Sequence, residues 1–219
     1  DVFSFYPPSK QKTTRIYLGK DDTIGYTDDN SVPEKYTEGK PYFLFTGTIE
    51  PRKNLSILLK AFEIFKSHTM SPHMLLITGQ KGWKNRAFFN ELEHHPFRDD
   101  ILLCGFVERK DLSGLYSHAT AFVFPSIYEG FGLPVVEAMS CGTPCLLSNT
   151  SSLPEVGGDA ALYFNPMEAK EIADSMIKIV SDDKLRDDLS DKAFKQAESF
   201  SWDSYCKVFD MEIRKLIKT

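Results

Sequence analysis

Five apolar runs of strand length punctuate this chain: PYFLFTG from Pro41, HMLLITG from His73, ILLCGF from Ile101, TAFVFP from Thr120 and TPCLLS from Thr143. Each is continuous rather than alternating in polarity, the pattern of a strand buried on both faces. Segments with helical spacing follow the first four, and parallel strands need such crossovers, which are right-handed. The chain is therefore expected to be α/β: a doubly wound parallel sheet of about six strands with helices on both faces. SLPEVGGDAALYFNP is expected to hold a turn and the last short strand.

The intervening stretches fill in the plan. Asn54 is placed to cap a helix whose Leu55, Leu58, Leu59, Phe62 and Phe65 share one face. A second helix is expected around Arg86 to His94, and a third over ERKDLSGLYSHA with Leu112, Leu115 and Tyr116 inward. Glu168 to Val180 and Asp183 to Phe200 read as two more. Arg15 to Asp22 reads as a short strand ending in glycine, and residues 23–40 as a polar surface loop. Trp202 to Ile217 carries a wide apolar stripe that must be covered, by its own domain or by another.

Composition narrows the function. A chain of 219 residues, 42% hydrophobic and 26% charged, is long enough for one full domain. A net charge of −5 leaves no basic stripe for nucleic acid. No apolar run reaches membrane-spanning length and DVFSFYPPSKQK lacks an apolar signal core, so a cytoplasmic protein is expected. Cys104, Cys141, Cys145 and Cys206 show no zinc-type pairing and are read as reduced, mostly buried thiols. The His94–His95 pair is read as surface residues at a helix end, and the acidic doublets as solvated, so no metal site is expected.

The densest chemistry lies in Phe124 to Gly142, FPSIYEGFGLPVVEAMSCG. It reads as a strand end, a glycine-rich turn and a helix started by Pro134 and stopped by Gly142. Gly130 and Gly132 flank Phe131, so a ligand can approach the main chain and meet unpaired amides at the positive end of the helix dipole. That suits phosphate. Glu129 before the helix and Glu137 a turn inside it flank the amides, and carboxylates there are expected to face polyol hydroxyls. The same stretch also fits any strand, turn and helix of a doubly wound sheet.

PSIYEGFGLPVVEAMSCGTP, with its E-x7-E spacing from Glu129 to Glu137, resembles the donor-site signature of the retaining GT-B glycosyltransferases of the group 1, or family 4, kind. The resemblance covers about residues 15–200 and implies the Rossmann-like, donor-binding C-terminal half of a two-domain enzyme. On that reading residues 1–14 are a connector from an N-terminal acceptor domain, which lies in cis or in trans. Residues 201–219 are a C-terminal helix that in relatives often crosses back to that domain.

The resemblance also assigns roles. Arg52 and Lys53 would meet the donor diphosphate, as the loop that begins at Gly47 and Thr48 does in relatives. Many relatives have arginine where this chain has Thr48, which leaves the cationic load on Arg52 and Lys53. Main-chain groups near Val107 would read the nucleobase, with Leu112 packing nearby. The amides of Gly132 and Leu133 would hold phosphate, Glu137 the ribose, and Glu129 the transferred sugar. No cofactor or metal is implied, since the nucleotide-sugar is a substrate; GDP-mannose is the first expectation and a UDP-sugar the second. The acceptor would be a saccharide or a lipid-linked saccharide, with peripheral membrane association through the N-terminal half. The alternatives are a non-catalytic nucleotide-sugar-binding module, or an epimerase or phosphorylase of the same plan.

Overall fold

The computed structural model describes residues 5–7 and 13–217. Six parallel strands, β1 (Tyr42–Thr46), β2 (Met74–Thr78), β3 (Ile101–Gly105), β4 (Ala121–Phe124), β5 (Cys145–Ser148) and β6 (Ala161–Phe164), form one sheet in the order β3-β2-β1-β4-β5-β6. This is the Rossmann-like doubly wound arrangement expected from the apolar runs. Phe43, Leu44, Leu75, Leu76, Phe122 and Val123 are fully buried, and each such side chain contributes roughly 1.5–3 kcal/mol of hydrophobic stabilisation.

The helices are α1 (Ser31–Thr37), α2 (Leu55–Thr69), α3 (Arg86–Glu93), α4 (Arg109–Ser117), α5 (Leu133–Ser140), α6 (Leu153–Gly157), α7 (Ala169–Ser181), α8 (Asp183–Ala197) and α9 (Trp202–Ile217). On one face α2 packs against α3 and α7; on the other α5 packs against α8 and α1 against α4. Leu55, Leu58, Leu59, Phe62 and Phe65 of α2 are all buried, as their spacing requires.

The chain divides into two units, residues 21–199 with the whole sheet, and residues up to 20 together with those from 200. In the second, the Lys20 amide donates to the Phe200 carbonyl at 2.8 Å, Tyr17 meets Phe200 edge-on, and Gly19 lies close against Trp202. The connector expected over residues 1–14 lies mostly outside the described residues. The helix over residues 202–217 is present, yet its stripe is open: Trp202 is 48% exposed and Leu216 74%. No described helix is long and apolar enough to cross a membrane.

Several local expectations are corrected. Arg15 to Asp22 forms no strand; its apolar residues are too few to earn a place in the sheet. The expected loop over residues 23–40 contains α1. Pro33 sits in the first turn of the helix, where a missing N–H costs nothing, and Asp29 accepts from the Ser31 amide at 2.9 Å. SLPEVGG forms α6 rather than a turn. His95 is buried, with Nε2 3.0 Å from the Leu59 carbonyl oxygen, because α2 covers it. Cys206 is exposed, unlike Cys141 and Cys145.

Asn54 does not cap α2 with its side chain. It adopts left-handed backbone (φ 59°), and its Nδ2 donates to the carbonyls of Pro125 (3.1 Å) and Pro166 (2.7 Å). It thereby ties the loop after β1 to those after β4 and β6, at the sheet's carboxyl edge.

The loops after β1 and β2 approach so closely that a Cβ on Gly79 (φ 133°) would lie 2.0 Å from the Gly47 carbonyl oxygen. Gly79→Ala is therefore expected to destabilise the fold by about 3 kcal/mol or more in urea unfolding. A cost below about 0.5 kcal/mol would show that the two loops are not held together.

Candidate functional site

The sheet order reverses between β1 and β4, and it is outside the carboxyl ends of strands at such a switch point that open α/β sheets bind ligands. Here β1 continues into Gly47–Asn54 and β4 into Pro125–Gly132. A short 3₁₀ turn, Pro51–Lys53, lifts Arg52 and Lys53 out of the first loop. Glu129 comes from the second. Lys53 Nζ lies 2.7 Å from Glu129 Oε1, and Arg52 Nη1 lies 2.7 Å from Oε2.

Sequence reasoning named Glu129, Arg52 and Lys53 separately and did not foresee this pairing. Lys53 and Glu129 are both almost fully buried, and a buried charge must find its opposite nearby. Lys53 also lies 4.5 Å above the Phe124 ring, and its stem runs over Gly47, where a Cβ would touch Lys53 Cε at 3.4 Å. Arg52 is shared: Nη2 meets Glu50 Oε1 at 2.7 Å, Nη1 donates to the Tyr128 carbonyl at 2.7 Å, and Trp83 Nε1 donates to Glu50 Oε2 at 3.1 Å.

Burial pulls the Lys53 ammonium below the ordinary lysine value, against the pull of Glu129. For Glu129 burial acts upward, but the hydrogen bond and charge of Lys53, helped by Ser126 and Arg52, hold the carboxyl below the usual range.

Sequence reasoning missed the loop after β5, which grips the Glu129 segment. Ser151 Oγ accepts from the Glu129 amide at 2.9 Å, Ser152 Oγ donates to the carbonyls of Glu129 (3.1 Å) and Phe131 (2.9 Å), and Thr150 Oγ1 donates to the Ile127 carbonyl at 3.1 Å. The signal was present in SNTSS, a run of hydroxyl residues directly after a strand.

Beyond Glu129 the chain turns through Gly130, Phe131 and Gly132 into α5. Gly132 has φ 106°, and a Cβ there would press on Leu153 at 3.1 Å. The amides of Val135 and Val136 bond back to the Gly132 carbonyl. Among the described residues no side chain caps the start of α5, whose N-cap Gly132 is itself buried. Glu137 sits one turn further on, and Tyr116 Oη donates to its Oε2 at 3.1 Å, while Arg109 Nη2 lies 3.6 Å from Oε1. Burial raises the Glu137 carboxyl, and Tyr116 and Arg109 counter it.

The remaining residues fall on the same edge by topology. Thr48 is exposed, Val107 is buried at the end of the loop after β3, and Leu112 is half-buried on α4. Among the described residues no cluster of three or more His, Cys, Asp or Glu could hold a metal ion.

The family model described as "Glycosyl transferases group 1" matches residues 27–196. The chain belongs to the group 1 glycosyl transferases. This glycosyl transferase chain is 36% identical over 215 residues to O-antigen chain mannosyltransferase B of Escherichia coli, covering 97% of this chain and 56% of that protein. It is 35% identical over 174 residues to the serotype-specific mannosyltransferase WbdA of Escherichia coli, 78% of this chain and 21% of that one. The chain thus spans about half the length of the first relative and less of the second. Among solved structures, sucrose-phosphate synthase from Thermosynechococcus elongatus shares the fold, with a TM-score of 0.86 at 22% identity, over 99% of this chain and 56% of that one.

Glu129→Gln strands the Lys53 charge in a buried site and is expected to cost about 3 kcal/mol at neutral pH. Because the Glu129 carboxyl is lowered on folding, its contribution is full above the ordinary carboxylate value and is lost as pH falls through the depressed one. The gap between wild type and variant in urea unfolding should therefore close with acidification. A gap constant with pH would contradict the ion-pair account.

Proposed function

We propose that the chain is the nucleotide-sugar-binding half of a retaining hexosyltransferase, with GDP-mannose as donor and a UDP-sugar as the second choice. Two relatives named as mannosyltransferases at 35–36% identity support the choice of sugar. One observation carries the donor site: Arg52 and Lys53 converge on Glu129, 76 residues away from Lys53 in sequence, on the loop that leads into the uncapped start of α5.

In this reading the donor pyrophosphate takes its place between the amides of Gly132 and Leu133 and the Arg52–Lys53 couple. Departure of a nucleoside diphosphate builds negative charge on its terminal phosphate. Two fixed cations stabilise that charge, and removal of one such group costs about 3 kcal/mol in the transition state. The phosphate competes with Glu129 for Lys53 and Arg52, and the freed carboxylate accepts hydroxyls of the sugar and favours positive charge developing at its anomeric carbon. Glu137 accepts the ribose hydroxyls, and main-chain groups near Val107 meet the base. The site needs no metal in this scheme, because side-chain cations already face the diphosphate. Transfer also needs an acceptor-binding domain, in cis or in trans, that brings a saccharide or lipid-linked acceptor to the sheet's carboxyl edge.

Calorimetric titration with GDP and UDP in the presence of chelator is expected to give saturable binding. No heat from either nucleotide would sink the donor-site reading. Glu137→Ala should weaken nucleotide binding more than Glu129→Ala, whereas Glu129→Ala should chiefly impair turnover once the acceptor domain is supplied. The opposite ranking would overturn the two roles.

A further inference from the structure

Glu137 is held by a chain of hydroxyls that begins two strands away. Thr78 Oγ1, at the end of β2, donates to Thr46 Oγ1 at the end of β1 (3.1 Å). The Thr46 hydroxyl also acts on the Tyr116 phenol, opposing the rise that burial causes, and Tyr116 Oη donates to Glu137 Oε2 at 3.1 Å. Hydrogen bonds linked in this way strengthen one another by polarisation. The series ends on a carboxylate, the strongest acceptor available.

Tyr116 is suited to the last step. Its ring is fully buried and meets Phe122 edge-on at 5.5 Å, and its main-chain oxygen accepts from Thr143 Oγ1 at 2.7 Å. Burial, then the charge of Glu137, push its phenol well above the ordinary value, so the proton stays on oxygen and the group is always a donor. Arg109, itself paired with Asp21, lies 3.6 Å from the other carboxylate oxygen. Each oxygen of Glu137 thus has one neighbour from α4 and keeps free lone pairs.

We propose that Tyr116, supported by Thr46 and Thr78, is a positioning residue that fixes Glu137 to accept the two ribose hydroxyls of the nucleotide. This assignment rests on the donor-site reading given above. A carboxylate that must receive two neighbouring hydroxyls at once gains from a locked orientation, because an unlocked one loses rotamer freedom on binding.

The test compares ligands with and without those hydroxyls. Tyr116→Phe removes one oxygen and keeps the ring. Titration of the chain with GDP and UDP, and with their 2′,3′-dideoxy counterparts, should show the variant weakened roughly tenfold for the ribonucleotides and within twofold of wild type for the dideoxy forms. Thr46→Val, which breaks the series one step earlier and preserves shape, should show the same selectivity at smaller amplitude, and it carries the comparison if Tyr116→Phe does not fold. Equal losses for both ligand types, or no loss, would overturn the positioning role while leaving the donor site standing. Wild type that binds neither ribonucleotide would remove the donor site, and this assignment with it.

Discussion

The ion pair between Lys53 and Glu129 joins the two strands at which the sheet changes direction, and the local architecture depends on it. Both groups are almost fully buried, and isolated charges in such surroundings would cost several kcal/mol each. Arg52 adds a second contact to the same carboxylate, Glu50 turns the guanidinium, and the hydroxyls of the loop after β5 hold the main chain around Glu129. Asn54 closes the arrangement by tying the β1 loop to the loops after β4 and β6. Two cations and one carboxylate are thereby gathered at the carboxyl edge of the sheet.

This arrangement explains why the chemistry sits in loops while the strands are almost purely apolar. The sheet provides a rigid floor of Phe, Leu and Val, and its carboxyl edge presents polar loops whose glycines permit close approach. Gly79 lets the first two loops touch, and Gly132, with its positive φ, lets the chain turn into α5 without a side-chain cap. Neither position tolerates a Cβ without displacing a neighbour, so packing and site geometry are set by the same contacts.

Much of this was legible in the sequence. Continuous apolar runs revealed five strands and that they run parallel, because burial on both faces leaves a pattern that local reading detects. Gly130, Gly132 and Pro134 marked the turn and helix, and the wider string carried the family. What local reading missed are contacts between side chains distant in sequence: Glu129 with Lys53, Asn54 with two proline carbonyls, Ser151 and Ser152 with the Glu129 backbone, and Tyr116 with Glu137. Those partners are chosen by topology, and no spacing rule encodes them. The helix at residues 31–37 was missed for another reason, since a proline and polar neighbours resemble a loop until the first-turn position of Pro33 is known.

The central claim is that Glu129 and an incoming diphosphate share the same two cations. Carbon-detected NMR of the Glu129 side-chain carboxyl, followed through a pH titration with and without saturating GDP, tests this most directly. The account predicts a titration midpoint below the ordinary carboxylate range in the free protein and a clear upward move once GDP has taken over Lys53 and Arg52. A midpoint that GDP leaves unchanged, under conditions where the nucleotide is bound, would contradict it.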